Sequence, residues 1–304
     1  MAPPPSSEAP LTQRLISLAS TLQFAWFIGH VTLLLCTFRY GLSYITLNYY
    51  SRWSQFSYRT AFVAAAATYG IVVFKAFRAK QKSGKAMGSP VQMIGDENVQ
   101  YLIMALVWLF TRQTALALLP FAVYSIFHVL TYTRGMLLPT IQPPPPTPAG
   151  QKPQSSALSD SIGSFVKNYY DASMSLVAGL EIALWFRILG AAVLMQKTSW
   201  IKLIIYTLFL RARISQSTFV QGMLHHIGAR GDTLAQRQDM PPALRSGWES
   251  FKGVAKQAHD GTDINRYMQG QQPQTAPKKA QQTSYDGCAA VKAAQLNEMT
   301  SRRR

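Results

Sequence analysis

The chain has 304 residues and a net charge of +17, yet charged residues make up only 14% of it, against about 25% in ordinary soluble domains. Apolar residues concentrate between Leu11 and Leu210, and basic residues flank the apolar runs. That excludes an evenly mixed water-soluble globule and assigns the positive charge to membrane topology and anionic headgroups rather than to direct nucleic-acid binding.

In chain order, the Pro/Ser-rich start "MAPPPSSEAP" lacks the basic beginning of a cleavable signal peptide. Leu11, Leu15, Leu18 and Leu22 recur at helical spacing, so residues 1–21 read as a polar segment with an amphipathic lead-in. "LQFAWFIGHVTLLLCTF" (Leu22–Phe38) is free of formal charge over 17 residues, close to the roughly 20 that a span needs. Arg39, Tyr40 and the aromatic cluster to Trp53 mark an interface. "TAFVAAAATYGIVVFKAF" (Thr60–Phe77) is a second span, whose Ala66/Gly70 pair either offers a close approach to another helix or merely fills an undemanding span.

Lys75, Arg78, Lys80, Lys82 and Lys85 then give five positive charges without an acid, while the turn "TRQT" carries Arg112 alone. The asymmetry places the Lys75–Lys85 loop, both termini and the later proline linker in the cytosol. Asn98–Phe110 and Ala115–Tyr132 form a hairpin across that turn. Its first arm is short for a full span, and Pro120 is expected to kink the second. Thr131–Arg134 reads as the cytosolic boundary.

The membrane domain therefore covers 22–138 with about four spans, followed by a proline-rich cytosolic linker at 139–160. A second membrane or interfacial hairpin covers 161–210, from Met174–Met195 and Trp200–Leu210. Residues 211–260 hold cytosolic amphipathic helices. In the first, Phe219, Val220, Met223, Leu224 and Ile227 share a face. In the second, after Pro241-Pro242, Leu244, Trp248, Phe251, Ala255 and Ala258 do so. Leu244, Trp248 and Phe251, with Arg245, Lys252 and Lys256 beside them, are the expected membrane-binding residues. The basic tail 261–304 is Gln/Pro/Lys-rich and reads as disordered. Strand patterns are absent, so the fold class is an all-α polytopic membrane protein with helical hairpins, C-terminal amphipathic helices and a disordered tail.

Catalytic, cofactor and metal signatures are not found. Cys36 and Cys288 make neither a disulfide framework nor a zinc set. His225 and His226 are adjacent and diverge by about 100° on a helix. His128 and Glu181 stand out as intramembrane polar residues, which are functional candidates by default. Glu181 and Arg187 lie on different sides of one helix, so Arg187 is not a natural partner. Both polar residues read as structural contacts between helices. The alternative is a small transporter or lipid-modifying enzyme using His128 and Glu181, which requires a polar cavity joining them.

"LPFAVYSIFHVLTYT" (Leu119–Thr133) resembles the Phe-Pro…Ser-Leu-x-His-x-x-Thr-Tyr-Thr signature of the transmembrane-protein-33 family, which includes the fungal pore-membrane proteins. "DENVQYLIMAL" (Asp96–Leu106), "LEIALWF" (Leu180–Phe186) and "LRARISQSTFVQGM" (Leu210–Met223) are similar to further segments of that family, in the same order. The proline-rich linker and the longer polar tail depart from animal-type members and look fungal. The resemblance implies a non-enzymatic protein of the endoplasmic reticulum and nuclear envelope that helps organise tubular membrane and nuclear pores. It also implies the lipid bilayer, reticulon-type membrane-shaping proteins, nucleoporins and an importin as partners, with the C-terminal amphipathic region touching membrane and importin.

Overall fold

A computed structural model describes residues 10–83, 93–143, 156–237 and 239–261. The Pro/Ser-rich first nine residues, the tail after Gly261 that reads as disordered, and most of the proline linker lie outside the described residues. The helices are α1 (Leu11–Ala19), α2 (Leu22–Ile45), α3 (Arg52–Lys82), α4 (Glu97–Phe110), α5 (Leu118–Tyr132), α6 (Leu138–Ile141), α7 (Ala157–Val193), α8 (Ser199–Gln216), α9 (Thr218–Ala235) and α10 (Pro242–Gly261). No strand occurs among the described residues, and the fold is all-α.

Helix starts follow short polar side chains that accept from otherwise orphaned backbone N–H groups. Thr21 accepts from Phe24 N at 3.1 Å, Ser51 from Ser54 N at 3.2 Å, Asp96 from Asn98 N at 2.8 Å, and Ser156 from Ser159 N at 3.3 Å. Four segments are long and apolar enough to cross a bilayer: Leu22–Ile45, Arg52–Lys82, Ala115–Ile141 and Ala157–Val193. α4, with 14 residues, rises about 21 Å, less than the roughly 30 Å of hydrocarbon. The chain is thus a polytopic membrane protein with a short helix folded into its bundle.

α2 packs on α3, α3 on α4, α2 on α5, α5 on α7, and α7 on α8, while α4 also touches α8. The centre is aromatic. Phe121 meets Phe62, Tyr69 and Tyr101 edge-on, and Tyr69 stacks on Tyr101 with centroids 5.4 Å apart. Edge-to-face rings suit a site where quadrupoles, not water, must be satisfied.

Three expectations change. Pro120 produces no mid-helix break, because it sits in the first turn of α5, where its missing N–H has no partner to lose. The helix read as ending at Tyr132 does not stop there: it continues through a π turn (Thr133–Leu137) into α6, and the membrane boundary expected at Thr131–Arg134 stays an expectation. Close approach between spans occurs at Gly29 rather than Gly70. A Cβ at Gly29 would collide with Thr68 Cγ2 on α3, whereas one at Gly70 would meet nothing within 4 Å.

Residues 1–230 and 231–304 form two compact units. Within the first, Val220 of α9 is fully buried with Ala178, Ile182 and Leu210, and Phe219, Met223 and Leu224 pack around them. This amphipathic face therefore packs on α7 and α8, and only Ile227 of the predicted stripe is exposed.

Candidate functional site: a buried ionic cluster and a histidine pair

Glu181 lies on α7 with 1% of its surface exposed. Isolated, a carboxylate at such a position would cost several kcal/mol. Its partner is Arg213, one turn from the end of α8 and 4% exposed, whose Nε donates to Glu181 Oε2 at 3.3 Å. The Tyr101 hydroxyl on α4 donates to Glu181 Oε1. Both carboxylate oxygens are therefore occupied by the chain itself.

Arg213 is the hub. Its Nη1 pairs with Glu97 at the first position of α4, and its Nη2 donates to the Tyr124 hydroxyl on α5 at 3.3 Å. Its guanidinium carbon also sits 5.4 Å from the centroid of the Tyr101 ring. Tyr101 and Tyr124 are joined at 3.2 Å, and the Tyr206 hydroxyl donates to the Glu181 carbonyl at 3.1 Å. One planar cation with five donors thus ties α4, α5, α7 and α8 together, a geometry that lysine does not match. Next to it, Gln216 Nε2 donates to Gly95 O at 2.9 Å, and Gln100 Nε2 to Ile94 O at 3.0 Å, fastening the entry to α4.

Sequence reasoning found Glu181 and rejected Arg187 as its mate, but it missed Arg213. The available signal was a charged residue three positions past the apolar run of α8, on the face that carries Tyr206 and Phe209–Leu210.

His128 is not solitary. Its ring lies 4.7 Å from that of His30 on α2, and Trp26 stands edge-on to both, at 4.9 Å and 4.5 Å. His30, 1% exposed, shares a hydrogen bond with Ser125 through Nδ1 at 2.9 Å. Among the described residues no group of three or more His, Cys, Asp or Glu could hold a metal ion. His128 and Glu181 share no hydrogen bond or ion pair among those residues: His128 belongs to the α2–α5 contact, and Glu181 to the junction of α7 with α4 and α8.

In the second unit, α10 docks on residues 231–237. The Trp248 indole N–H and Lys252 Nζ both donate to Asp232 Oδ1, at 2.8 Å and 2.7 Å. The indole covers Gly231, where any Cβ would collide with it. Arg245 donates to the Ala235 carbonyl at 2.9 Å and to that of Arg237 at 3.1 Å, satisfying carbonyls that a helix end leaves open. The donors from Lys252 and Trp248 hold the Asp232 carboxyl below the usual carboxylate range, and Asp232 and Glu249 raise Lys252. Of the predicted membrane-binding set, Arg245, Trp248 and Lys252 are thus engaged internally. Leu244 is 60% exposed, Phe251 45% exposed, and Lys256 exposed. The side chains of Ala255 and Ala258 lie outside the described residues.

Such a fold and cluster define an all-α multi-pass membrane protein whose short helix is held to its long spans by a buried arginine. The family model for Transmembrane protein 33/Nucleoporin POM33 matches residues 3–259, and the chain belongs to that family. It is 51% identical to the Nucleoporin POM33 of Chaetomium thermophilum over 286 residues, covering 91% of this chain and 99% of the relative. Tetra-spanning protein 1 of Schizosaccharomyces pombe is 31% identical, covering 80% of this chain and 86% of its own length. The Pore membrane protein of 33 kDa of Saccharomyces cerevisiae is 28% identical, covering 82% and 87%. No solved structure matches the chain.

Proposed function

We propose that this protein is a non-enzymatic organiser of endoplasmic-reticulum and nuclear-envelope membrane that supports the arrangement of nuclear pores. The names of two relatives, a nucleoporin and a pore membrane protein, support the location. The observation that carries the non-catalytic part is the saturation of Glu181. Both its oxygens are committed to Tyr101 and Arg213, so the acid that transport or lipid chemistry would need is spent on joining helices.

In this reading the termini, the loop after α3 and the proline linker are cytosolic, supported by the acid-free basic run Lys75–Lys82. The C-terminal helix α10 offers Leu244 and Phe251 to lipid, with Lys256 beside them, and Arg245, Trp248 and Lys252 join this surface when they leave Asp232 and the end of α9. Reticulon-type proteins, nucleoporins and an importin are the protein partners. The test is deletion in the native organism, followed by imaging of pore spacing and tubule density. Loss of even pore spacing, restored by the wild type and by Glu181→Gln but not by Glu181→Leu, is the expected result. Normal pores together with an altered phospholipid profile would overturn the reading in favour of an enzyme.

A further inference from the structure

The fold brings three turns to one end of the bundle. Tyr58, near the start of α3, accepts from the Thr114 backbone N–H in the α4–α5 turn at 3.1 Å, and Arg59 donates to the Trp108 and Leu109 carbonyls at the end of α4. The Trp108 ring near the end of α4 lies 5.9 Å from that of Tyr206 on α8, and α7 packs against the short 3-10 turn Ala115–Ala117 that leads into α5. The α2–α3, α4–α5 and α7–α8 connections therefore share one rim.

That rim is basic throughout. Arg39, Arg52 and Arg59 flank the first turn, Arg112 occupies the second, and Arg187, Lys197 and Lys202 flank the third. Residues 39–59, 110–117 and 183–202 contain no Asp or Glu. Arg59 donates to carbonyls and Arg39 to Ser43 Oγ at 3.1 Å, and neither pairs with an acid among the described residues. Arg39, Arg52, Arg112, Arg187 and Lys197 are exposed. Like charges gathered on a low-dielectric bundle repel one another unless an anion sits between them.

We propose that this rim binds anionic phospholipids, whose phosphates supply the missing counter-charge and select acidic lipids into the adjoining leaflet. The aromatic residues favour lipid over an acidic polypeptide. Trp53 is 69% exposed, Tyr50 67%, Phe56 62% and Trp200 51%, interleaved with the cations as a headgroup-level belt requires. Arginine, four of the five exposed cations, matches phosphate with two parallel donors. The cations also ring three separate turns instead of converging on a groove, which suits several lipid headgroups. The inference does not depend on which compartment the rim faces, nor on the cellular role proposed above.

The test uses the full chain reconstituted in nanodiscs of phosphatidylcholine and phosphatidylserine, extracted gently and weighed by native mass spectrometry to identify retained lipids. The wild type retains phosphatidylserine in preference to phosphatidylcholine. The triple variant Arg112→Gln/Arg187→Gln/Lys202→Gln loses that preference by at least about tenfold, since each cation near an anionic surface contributes a severalfold factor. Arg112→Lys/Arg187→Lys retains most of it, and so does the opposite-end control Arg78→Gln/Lys80→Gln/Lys82→Gln. A photoactivatable phosphatidylserine added to the wild type crosslinks to peptides spanning 39–59, 110–117 or 183–202, a readout that survives if the triple variant fails to fold. No preference in the wild type, the outcome expected if an acidic polypeptide is the ligand, overturns the proposal. Equal loss in the opposite-end control, or crosslinks confined to other peptides, does so as well.

Discussion

Replacing Arg213 with methionine removes the cation and keeps most of the side-chain volume. The variant leaves Glu181, 1% exposed, without its counter-charge, and strips a donor from Tyr124. Breaking a buried pair from one side costs about 3–5 kcal/mol, because the remaining charge is neither hydrated nor matched. The Glu97 contact adds little to that figure, since the Glu97 side chain is 43% exposed and can turn to water. Glu181→Gln is milder, about 1–2 kcal/mol, because the amide can still accept from Tyr101 and Arg213 keeps Glu97. The double variant Glu181→Leu/Arg213→Met removes both charges and should sit within about 2 kcal/mol of the wild type. The assay is unfolding in mixed micelles titrated with sodium dodecyl sulfate, followed by circular dichroism, for the wild type, the singles Glu181→Gln, Glu181→Leu and Arg213→Met, and the double. A loss below about 1 kcal/mol for Arg213→Met would refute the argument. So would a double variant as unstable as Glu181→Leu and Arg213→Met added together.

Gly29→Val drives a branched Cβ into Thr68 Cγ2, so thermal unfolding of the purified chain should register a loss of about 1–3 kcal/mol, while Gly70→Val should be nearly silent. Docking of α10 is expected to be flat across neutral pH. Asp232 has a depressed folded pKa, so its contribution is present above the unfolded value of about 3.9 and is lost as pH falls through the folded one. Lys252 is raised, so its contribution is present below about 10.4 and fades as pH rises through its folded value. Protection of the Trp248-containing peptide, measured by hydrogen exchange relative to its unstructured-chain rate at each pH, should therefore fall only at the two extremes, and a transition near pH 6 would contradict the assignment. A cysteine at Lys82, in a chain whose Cys36 and Cys288 are replaced by serine, should react with a membrane-impermeant maleimide in sealed right-side-out microsomes; protection there would reverse the proposed topology.

The spans were legible from their apolar runs, but two of their starts were not: α3 begins at Arg52 behind the Ser51 cap and α7 at Ala157 behind Ser156, in polar sequence well ahead of the apolar stretches at Thr60 and Met174. Nor were partnerships across the bundle. Glu181 and Arg213 are 32 residues apart and His30 and His128 are 98 apart, separations that no local periodicity encodes. The same limit affected the charge count. Comparing the Lys75–Lys85 loop with one turn gave five cations against one, whereas folding brings six further cations to the rim that holds Arg112. The stripe on α10 was visible as a pattern, but periodicity cannot tell a face that meets lipid from one whose Trp248 covers Gly231.

The π turn at Thr133–Leu137 sets the phase of everything that follows it. An α-helix advances about 100° per residue, and a π turn absorbs one residue more than an α turn without ending the helix. Met136 and Leu137 thereby join Val129 and Tyr132 in one cluster around Leu18 and Phe27, and α6 is presented to α1. The seat of the N-terminal helix is thus written more than a hundred residues downstream, in the surplus residue of another helix. Inserting one further residue after Gly135, beyond the one the π turn absorbs, would rotate all that follows by about 100° and unseat α1 without changing a single residue within it.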